Sequence, residues 1–397
     1  MRHESAAQPV AAPPAPPLAR FGVLSLCYFA AIGLFSPYAP LWFQSLGFST
    51  LVIGGIASVQ ALTRLFAPYA WSWVGDRHGR RVELIRLAAA GSLLSALGFL
   101  GVQAAVPVAC VTAALFIANS GVVPLYEATL SHLLHTEAGL DLGRYGRVRM
   151  WGSVGFIVAV TVFGALFEWA GIAVFPGVVA LTNALMLVAA LRLPPSGDAA
   201  GHASAAPAVL PLLRRPEVAW FFASVFFTVL AHTSLYAFFS LYLVELGYGK
   251  VVVGALWAIS VAAEIVFFWT QGRWFAKCSA PRWLQIAAAA TALRFAGLAA
   301  FGSWAPVLVL AQLSHALTFA AHHAACIAML QRHFPGRLLG RGQALYTTLG
   351  YGLSGLLGGV AGGWLISSHG YAAVFWAAAV CALLAWLCAR RAIRAAG

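Results

Sequence analysis

Twelve long apolar runs divide this chain, and they constrain its fold more than any other feature. Each run is long enough for one helix to cross a bilayer, which takes about 20 predominantly apolar residues. Because lipid offers the backbone no hydrogen-bonding partner, such runs cross as helices. The predicted spans are 20–44, 50–73, 82–103, 106–134, 148–169, 172–193, 218–245, 250–275, 281–303, 306–333, 339–367 and 371–393.

Composition excludes a soluble protein. Of the 397 residues, 61% are hydrophobic and 9% are charged, whereas soluble domains have about 45–50% apolar and about 25% charged residues. No soluble core buries that much apolar surface, so we predict a polytopic protein embedded in the lipid bilayer. The cysteines lie singly in apolar sequence with no CxxC pair, which indicates packing residues rather than a disulfide or metal framework. They are Cys27, Cys110, Cys278, Cys326, Cys381 and Cys388.

Two stretches of the chain repeat each other without a gap, LWFQSLGFSTLVIGGIASVQALTR (41–64) and LYLVELGYGKVVVGALWAISVAAE (241–264). Each contains a helix end, a Gly-bearing turn and a second apolar helix. At the twin position in the middle of that second helix, one copy carries Arg64 and the other Glu264. A weaker repeat relates RMWGSVGF (149–156) to ALYTTLGY (344–351). A parallel duplication of this kind is typical of two-lobed membrane transporters.

The duplication defines the predicted fold, an all-α protein whose twelve transmembrane helices form two pseudo-symmetric six-helix bundles. The bundles cover residues 20–193 and 218–393. The Ala/Pro-rich segment 1–19 is predicted to be a disordered cytoplasmic tail. The Pro/Gly/Ala/Ser-rich segment 194–217 is predicted to be the cytoplasmic linker between the bundles.

The basic residues orient the predicted helices. All but three of the 24 Lys and Arg fall on the side of the N-terminus; Lys250 lies on the other side, and Arg64 and Arg294 lie within spans. By the positive-inside rule both termini are cytoplasmic, in a multi-pass protein of a bacterial inner membrane. Topology therefore explains the net charge of +13, and no nucleic-acid partner is predicted.

The loop WVGDRHGRR (73–81) joins the second and third spans. It resembles the DRxGRR signature of the major facilitator superfamily, with Ser72 in place of the usual Gly. Its charges are expected to fix a tight cytoplasmic turn against neighbouring helix ends. The alternative is an ordinary basic loop. We assign gating roles to four of its residues, Asp76, Arg77, Gly79 and Arg80.

Ionisable side chains within membrane spans are costly and need partners or water. The C-terminal half carries an unusual set of them, comprising His232, Glu264, Arg294, His315, His322 and His323. On the seventh, eighth and tenth spans, polar and aromatic residues recur at helical spacing and so form one stripe on each helix. Three such stripes facing inward predict a water-filled central cavity. They are Thr228, His232, Tyr236 and Phe239; Trp257, Ser260, Glu264 and Gln271; and Gln312, His315, Phe319 and His322, with His323 about 100° further round.

Charge indicates the chemistry of this cavity. A buried carboxyl without a partner holds a proton near neutral pH, whereas one beside an arginine ionises, so Glu264 is the predicted proton-coupling group. The histidines His315, His323 and His322 are candidates to hold or relay the proton. Arg64 and Arg294 are predicted to receive a substrate carboxylate through paired hydrogen bonds. Three further residues complete the predicted substrate site, His232, Tyr236 and Trp257, although packing is as good an explanation for each aromatic ring alone.

Glu127 in the fourth span is a second gating candidate. It lies near the inner end of ANSGVVPLYEATLSHLL (118–134) and can pair with Arg144, Arg147 or Arg149 of the next helix. We place Arg147 in the gate with it. A carboxylate that merely reaches toward the membrane surface is the competing interpretation.

The chain as a whole resembles the phenylpropionate permease branch of the major facilitator superfamily, near the oligosaccharide:proton symporters. The resemblance covers most of residues 20–393 and rests on five segments: GGIASVQALTRLFAP, RYGRVRMWGSVGF, VGALWAISVAAEIVFF, SHALTFAAHHAA and GQALYTTLGYGLSGLLGG. It implies proton symport of an aromatic carboxylate, with Glu264, His315 and His323 in the positions of coupling or substrate residues. His322 is an extra neighbour of that pattern.

The predicted function is therefore alternating-access transport of a small organic acid, with protons, by a monomer without a cofactor or metal. Two alternatives in the same class are an efflux antiporter for drugs or metabolites and a proton symporter for sugars or nucleosides. An intramembrane enzyme is disfavoured because no HExxH or Cys/His metal spacing accompanies the histidines. No P-loop is present, which disfavours ATP-driven transport. A receptor-like relative that transports nothing remains open at this point.

Overall fold

The computed structural model describes residues 18–136, 139–195 and 210–395, and nearly all of them are helical. Eleven helical segments in this part are long and apolar enough to cross a membrane, namely Leu18–Ser45, Thr50–His78, Ala105–Leu133, Gly143–Ala170, Ile172–Leu191, Pro216–Glu245, Lys250–Arg273, Ala280–Phe301, Ala305–His333, Leu339–His369 and Tyr371–Ala395. The predicted third span is the helix Arg81–Gly98, which is only 18 residues long and has charged residues in its first two turns. The all-helical membrane fold predicted from the sequence is confirmed.

Several spans are interrupted. The second consists of Thr50–Thr63 and Ala67–His78. The fourth breaks between Ala105–Asn119 and Val122–Leu133. The tenth consists of Ala305–Leu313, a π-helical segment Ala316–Ala321 and His322–His333; the eleventh consists of Leu339–Leu345, a π-helical segment Tyr346–Leu353 and Ser354–His369.

The other spans are uninterrupted. The helices of the fifth, sixth and eighth spans are Leu142–Ala170, Phe175–Leu191 and Lys250–Thr270. Short elements are the helix Leu210–Leu213 and the 3-10 turns Ile172–Val174, Gln271–Arg273, Phe275–Lys277 and Gly336–Leu338. Two-residue strands, His135–Thr136 and Gly139–Leu140, pair in antiparallel fashion. Residues 1–17 of the predicted tail lie outside the described residues. Most of the predicted linker, 196–209, lies outside them as well.

The structure repeats the internal duplication turn by turn. The first span ends at Ser45 and the seventh at Glu245. Each is followed by a glycine with positive φ, 83° at Gly47 and 87° at Gly247. A side chain there would be strained, so both copies need glycine to reverse the chain. The next helices begin at Thr50 and Lys250.

Two crossings between the halves also repeat. A Cβ at Gly54 of the second span would collide with the carbonyl oxygen of Gly359 in the eleventh. At the twin position, a Cβ at Gly254 of the eighth span would collide with the carbonyl oxygen of Val160 in the fifth. Small residues at these points let the backbones of the two halves touch.

Polar contacts strengthen both crossings. Ser58 Oγ donates to the Leu356 carbonyl at 2.6 Å and accepts from the Val360 N–H at 3.0 Å. In the other crossing, the Glu168 carboxylate accepts a hydrogen bond from the Lys250 N–H at 2.5 Å, where a negative charge also favours the helix N-terminus. The halves are thus joined where the second and eighth spans begin.

The apolar core is distributed in the same way, with its shared part at the end where the halves are joined. One buried cluster contains residues from both halves, from Leu34 to Ala382. The two other clusters each belong to one half: one runs from Phe21 to Leu193 and one from Val218 to Ala389. The apolar core shared by the two halves therefore lies at one end of the molecule, and toward the other end each half has a core of its own.

Candidate functional site

A chain of three charged and polar groups occupies the middle of the C-terminal half. His315 Nε2 lies 2.9 Å from Glu264 Oε1. Its other ring nitrogen, Nδ1, lies 2.8 Å from Arg294 Nη1. Because a guanidinium can only donate, Nδ1 accepts, and the ring proton is on Nε2, which donates to Glu264. The eighth, ninth and tenth spans thus meet at one imidazole.

Arg294 is only 5% exposed, and both of its terminal guanidinium nitrogens are hydrogen-bonded, whereas its Nε has no partner among the described residues. Nη1 also donates to Thr318 Oγ1 at 2.9 Å, and Nη2 donates to Gln312 Oε1 at 3.2 Å. Gln312, His315 and Thr318 recur every third residue and so lie along one side of the tenth span. Arg294 is therefore bound to protein groups in this conformation, although the sequence predicted that it receives a substrate carboxylate.

The histidines of the tenth span do not lie as a regular α-helix would place them. The rings of His315, Phe319 and His323 are stacked, with centroids 5.1 and 6.1 Å apart. His322 turns instead toward Cys326, with Nε2 3.5 Å from Sγ. The sequence grouped His322 rather than His323 with His315 and Phe319, whereas in the structure His323 stacks on Phe319. The π-helical segment Ala316–Ala321 adds a residue to the turn before these histidines.

A network of hydroxyls joins the tenth span to the eleventh. His323 Nδ1 lies 3.3 Å from the Tyr346 hydroxyl, which is 3.2 Å from the Tyr351 hydroxyl. Both tyrosines belong to the second π-helical segment, Tyr346–Leu353.

Among the three histidines, His315 bonds to Glu264, whereas His323 interacts with Glu264 electrostatically across a longer distance.

The predicted aromatic residues of the seventh and eighth spans come together as expected. Tyr236 stacks on Trp257, with centroids 6.2 Å apart and planes 25° apart. Trp257 Nε1 donates to Ser240 Oγ at 3.1 Å. The His232 ring lies 6.1 Å from that of His315. A small cavity behind this group is lined by Thr228, Val229, His232, Tyr236, Thr318, Phe319, His322 and Tyr351.

Arg64 lies apart from Arg294, at the break in the second span, where it caps the helix Thr50–Thr63. It is exposed, and its guanidinium makes no hydrogen bond or ion pair with any residue that the structure describes. It is nevertheless within electrostatic range of Tyr28, Tyr236 and Tyr351. Its charge therefore lies near tyrosines of both halves.

The N-terminal half contributes an ion pair. Among the three arginines that the sequence offered to Glu127, Arg149 is the partner, with Nε 3.4 Å from Oε1. Arg144 instead pairs with Asp141 at 3.4 Å, and Arg147 is exposed. The Arg149 guanidinium also lies 4.4 Å from the Phe29 ring centroid.

Arg149 is the residue that the sequence argument did not place in the site. It is within electrostatic range of both Glu264 and His323 across the gap between the halves. The signal available in the sequence was its presence in RMWGSVGF, which matches the tyrosine-bearing ALYTTLGY of the other half. Tyr346, which lies beside His323, and Tyr351, which bonds to Tyr346, both lie in that second segment.

The predicted gating loop forms a capped turn. Gly79 has φ 62° and its N–H bonds to the Gly75 carbonyl, which ends the helix Ala67–His78. Arg81 Nη2 bonds to Asp76 Oδ1 at 3.0 Å across this turn. Arg80 pairs with Glu83 in the first turn of the next helix, and Arg77 lies 5.3 Å from the Trp73 ring centroid.

In the described part of the chain, no group of three His, Cys, Asp or Glu side chains is arranged to hold a metal ion.

The chain is 29% identical over 361 residues to the "Probable 3-phenylpropionic acid transporter" of Escherichia coli (strain K12), covering 90% of this chain and 93% of that one. It is 27% identical over 380 residues to the "Maltose permease" of Geobacillus stearothermophilus, covering 92% and 93%.

Among solved structures, a mutant of the nucleoside transporter NupG superposes with a TM-score of 0.81 at 18% identity, covering 94% of this chain and 99% of that one. At this identity the likeness shows the fold alone. The model of the MFS_1 like family matches residues 18–377. Together with the duplicated helices and the two fused half-bundles, this match shows that the chain belongs to the MFS_1 like family of secondary membrane transporters.

Proposed function

We propose that this protein carries a small aromatic carboxylic acid across the bacterial inner membrane together with a proton, as a monomer that alternates between two open states. The observation that carries the proposal is the contact of Glu264 with His315, whose second ring nitrogen is occupied by Arg294. This arrangement leaves one group, the Glu264 carboxyl, free to gain and lose a proton.

The proton step follows from the donor pattern. Nδ1 of His315 cannot take a proton while it accepts from Arg294, because two donors would then face each other. Protonation of Glu264 replaces its charge-assisted bond to Nε2–H by a weaker neutral one. Loading of the proton therefore loosens the tie between the eighth and tenth spans, and its release restores the tie.

The anion site is supported by Arg64. It is a cation without a protein partner among the described residues and it faces tyrosines of both halves. A guanidinium binds a carboxylate through two parallel hydrogen bonds. The Tyr236–Trp257 pair offers flat apolar surface to a ring. The relative from E. coli is named as a probable transporter of 3-phenylpropionic acid, which is an aromatic carboxylic acid. A neutral sugar, as the name of the maltose permease would imply, leaves Arg64 without a partner.

Alternating access is supported by the two ends of the molecule. The contacts of Gly54 with Gly359 and of Gly254 with Val160 close the end where Lys250 lies. The basic residues lie at the other end, so under the positive-inside rule the closed end is periplasmic and both termini are cytoplasmic. The conformation then corresponds to a carrier that is closed on the periplasmic side.

The deciding experiment is uptake of labelled 3-phenylpropionate into proteoliposomes with and without an inward proton gradient. Accumulation that depends on the gradient is the expected result, and empty liposomes give the background. Accumulation that is independent of the gradient would remove proton coupling. Absence of uptake, with binding of maltose or a nucleoside in a thermal-shift assay, would replace the carboxylate by a neutral substrate.

A further inference from the structure

His232 and Thr228, one turn apart on the seventh span, line the same small cavity, and each has an unpaired polar atom. His232 is 3% exposed and Thr228 is 1% exposed. Neither His232 Nε2 nor Thr228 Oγ1 has a hydrogen-bonding partner among the described residues. Because buried polar groups are almost always hydrogen-bonded, the cavity between them requires a polar occupant.

The protonation of His232 determines which kind of occupant fits. Its Nδ1 lies 2.8 Å from the carbonyl oxygen of Thr228. A carbonyl only accepts, so Nδ1 carries the ring proton and Nε2 of the neutral ring is an acceptor. The occupant must therefore donate a hydrogen bond to Nε2. Arg294 is within electrostatic range of His232, which disfavours a cation such as an ammonium group and favours a neutral hydroxyl.

The size of the cavity limits the occupant further. It has room for about one water molecule, and Val229 and Phe319 form apolar parts of its wall. A single oxygen atom fits this space, but a whole ring does not. Tyr236 and Tyr351 also line it, and both are within electrostatic range of Arg64. These two tyrosines therefore connect the cavity with the proposed carboxylate site.

We propose that this cavity is a hydroxyl subsite and that the transported acid is a hydroxylated aromatic carboxylate. Its carboxylate binds Arg64 and its ring lies against Tyr236 and Tyr351. The ring hydroxyl donates to His232 Nε2 and accepts from the Thr228 hydroxyl. A water molecule fills the subsite when the ring has no hydroxyl. The subsite therefore makes the protein prefer hydroxylated acids, but acids without a hydroxyl are still transported. This inference rests on the proposed function, because it takes Arg64 as the carboxylate site.

The test measures binding to the purified full-length protein in detergent, with 3-phenylpropionate and its 3-hydroxyphenyl, 4-hydroxyphenyl and 4-fluorophenyl analogues. The fluoro compound is similar in size to the 4-hydroxy compound but cannot donate. We expect one hydroxy isomer to bind about tenfold more tightly than 3-phenylpropionate, and the fluoro compound to show no such gain.

Two variants assign that gain to the cavity. His232→Phe removes the acceptor and Thr228→Val removes the hydroxyl with little change in volume; each is expected to reduce the gain to about twofold or less. Binding of 3-phenylpropionate is expected to persist in Thr228→Val. Thr233→Val is the matched control, because Thr233 lies on the same helix and its hydroxyl already bonds to the Val229 carbonyl at 3.2 Å. Thr228→Val keeps the test valid if His232→Phe does not fold.

The outcomes separate the two proposals. Equal binding of all four acids, or a hydroxyl preference that survives in both variants, would overturn the hydroxyl subsite and leave carboxylate transport intact. If none of the four acids binds to protein that melts cooperatively, the carboxylate proposal itself fails, and the hydroxyl subsite fails with it.

Discussion

Glu264 and Arg294 do not bind each other; they bind opposite nitrogens of one imidazole, that of His315, at 2.9 and 2.8 Å. The guanidinium fixes the proton of the ring on the side of the carboxylate. A neutral histidine therefore links a carboxylate on the eighth span to a cation on the ninth, and the carboxylate is the member of this group that can change its protonation.

Glu264→Gln tests that role. The amide cannot release a proton, so we expect proton-driven accumulation to be lost while exchange of internal for external substrate continues. Both are measured in proteoliposomes, with Glu245→Gln as the control because Glu245 is exposed at the end of the neighbouring span. Accumulation at the level of the unmodified protein would remove Glu264 from the coupling step.

Arg294→Lys tests the structural part of the same group. The single nitrogen of a lysine cannot occupy the positions of both Nη1 and Nη2, so we expect at least one buried acceptor to lose its donor, at a cost of about 1–3 kcal/mol. A lower melting temperature in detergent is expected. Arg282→Lys, at the exposed start of the same helix, should leave it unchanged. An equal effect of the two substitutions would contradict the network.

Arg64→Ala tests the anion site. We expect weaker binding of 3-phenylpropionate, by about tenfold or more, and little change in the weak binding of its neutral amide, because only the carboxylate loses a charge-assisted pair. Arg64→Lys should fall between the two, since an ammonium keeps the charge without the planar fork. Binding is measured by titration calorimetry. Equal losses for acid and amide would exclude the role.

Gly254→Val tests whether the halves move as rigid bodies. A side chain at Gly254 separates the eighth span from Val160 of the fifth, and rigid halves would then separate Ser58 from the eleventh span as well. A cysteine placed at Ser58, in a background with the native cysteines replaced by alanine, should become reactive toward a maleimide. Gly177→Val, which has open space around it, should leave that cysteine protected. Protection in both variants would mean that the two crossings open independently.

The sequence determined the membrane class, the helical spans, the duplication and the capped loop at Gly79, because each depends on local physics. An apolar run of sufficient length crosses lipid as a helix whatever surrounds it. A glycine that must adopt positive φ, as at Gly47 and Gly247, appears as a repeated residue in the printed chain. The apolar runs did not predict the short third helix with its charged first turns, nor the interruptions of the second, fourth, tenth and eleventh spans.

Tertiary structure decided which polar groups meet. The sequence placed Glu264, Arg294 and three histidines in one half, but the choice of His315 depends on how three separate helices pack. The π-helical segment Ala316–Ala321 changes the phase of the tenth span, and it is His323 that stacks on Phe319. A periodicity of 3.6 residues does not predict such a change of phase. The choice of Arg149 over Arg144 and Arg147 likewise depended on the angle between two helices. Contacts between elements are settled by packing and desolvation across the whole bundle, which a linear pattern does not contain.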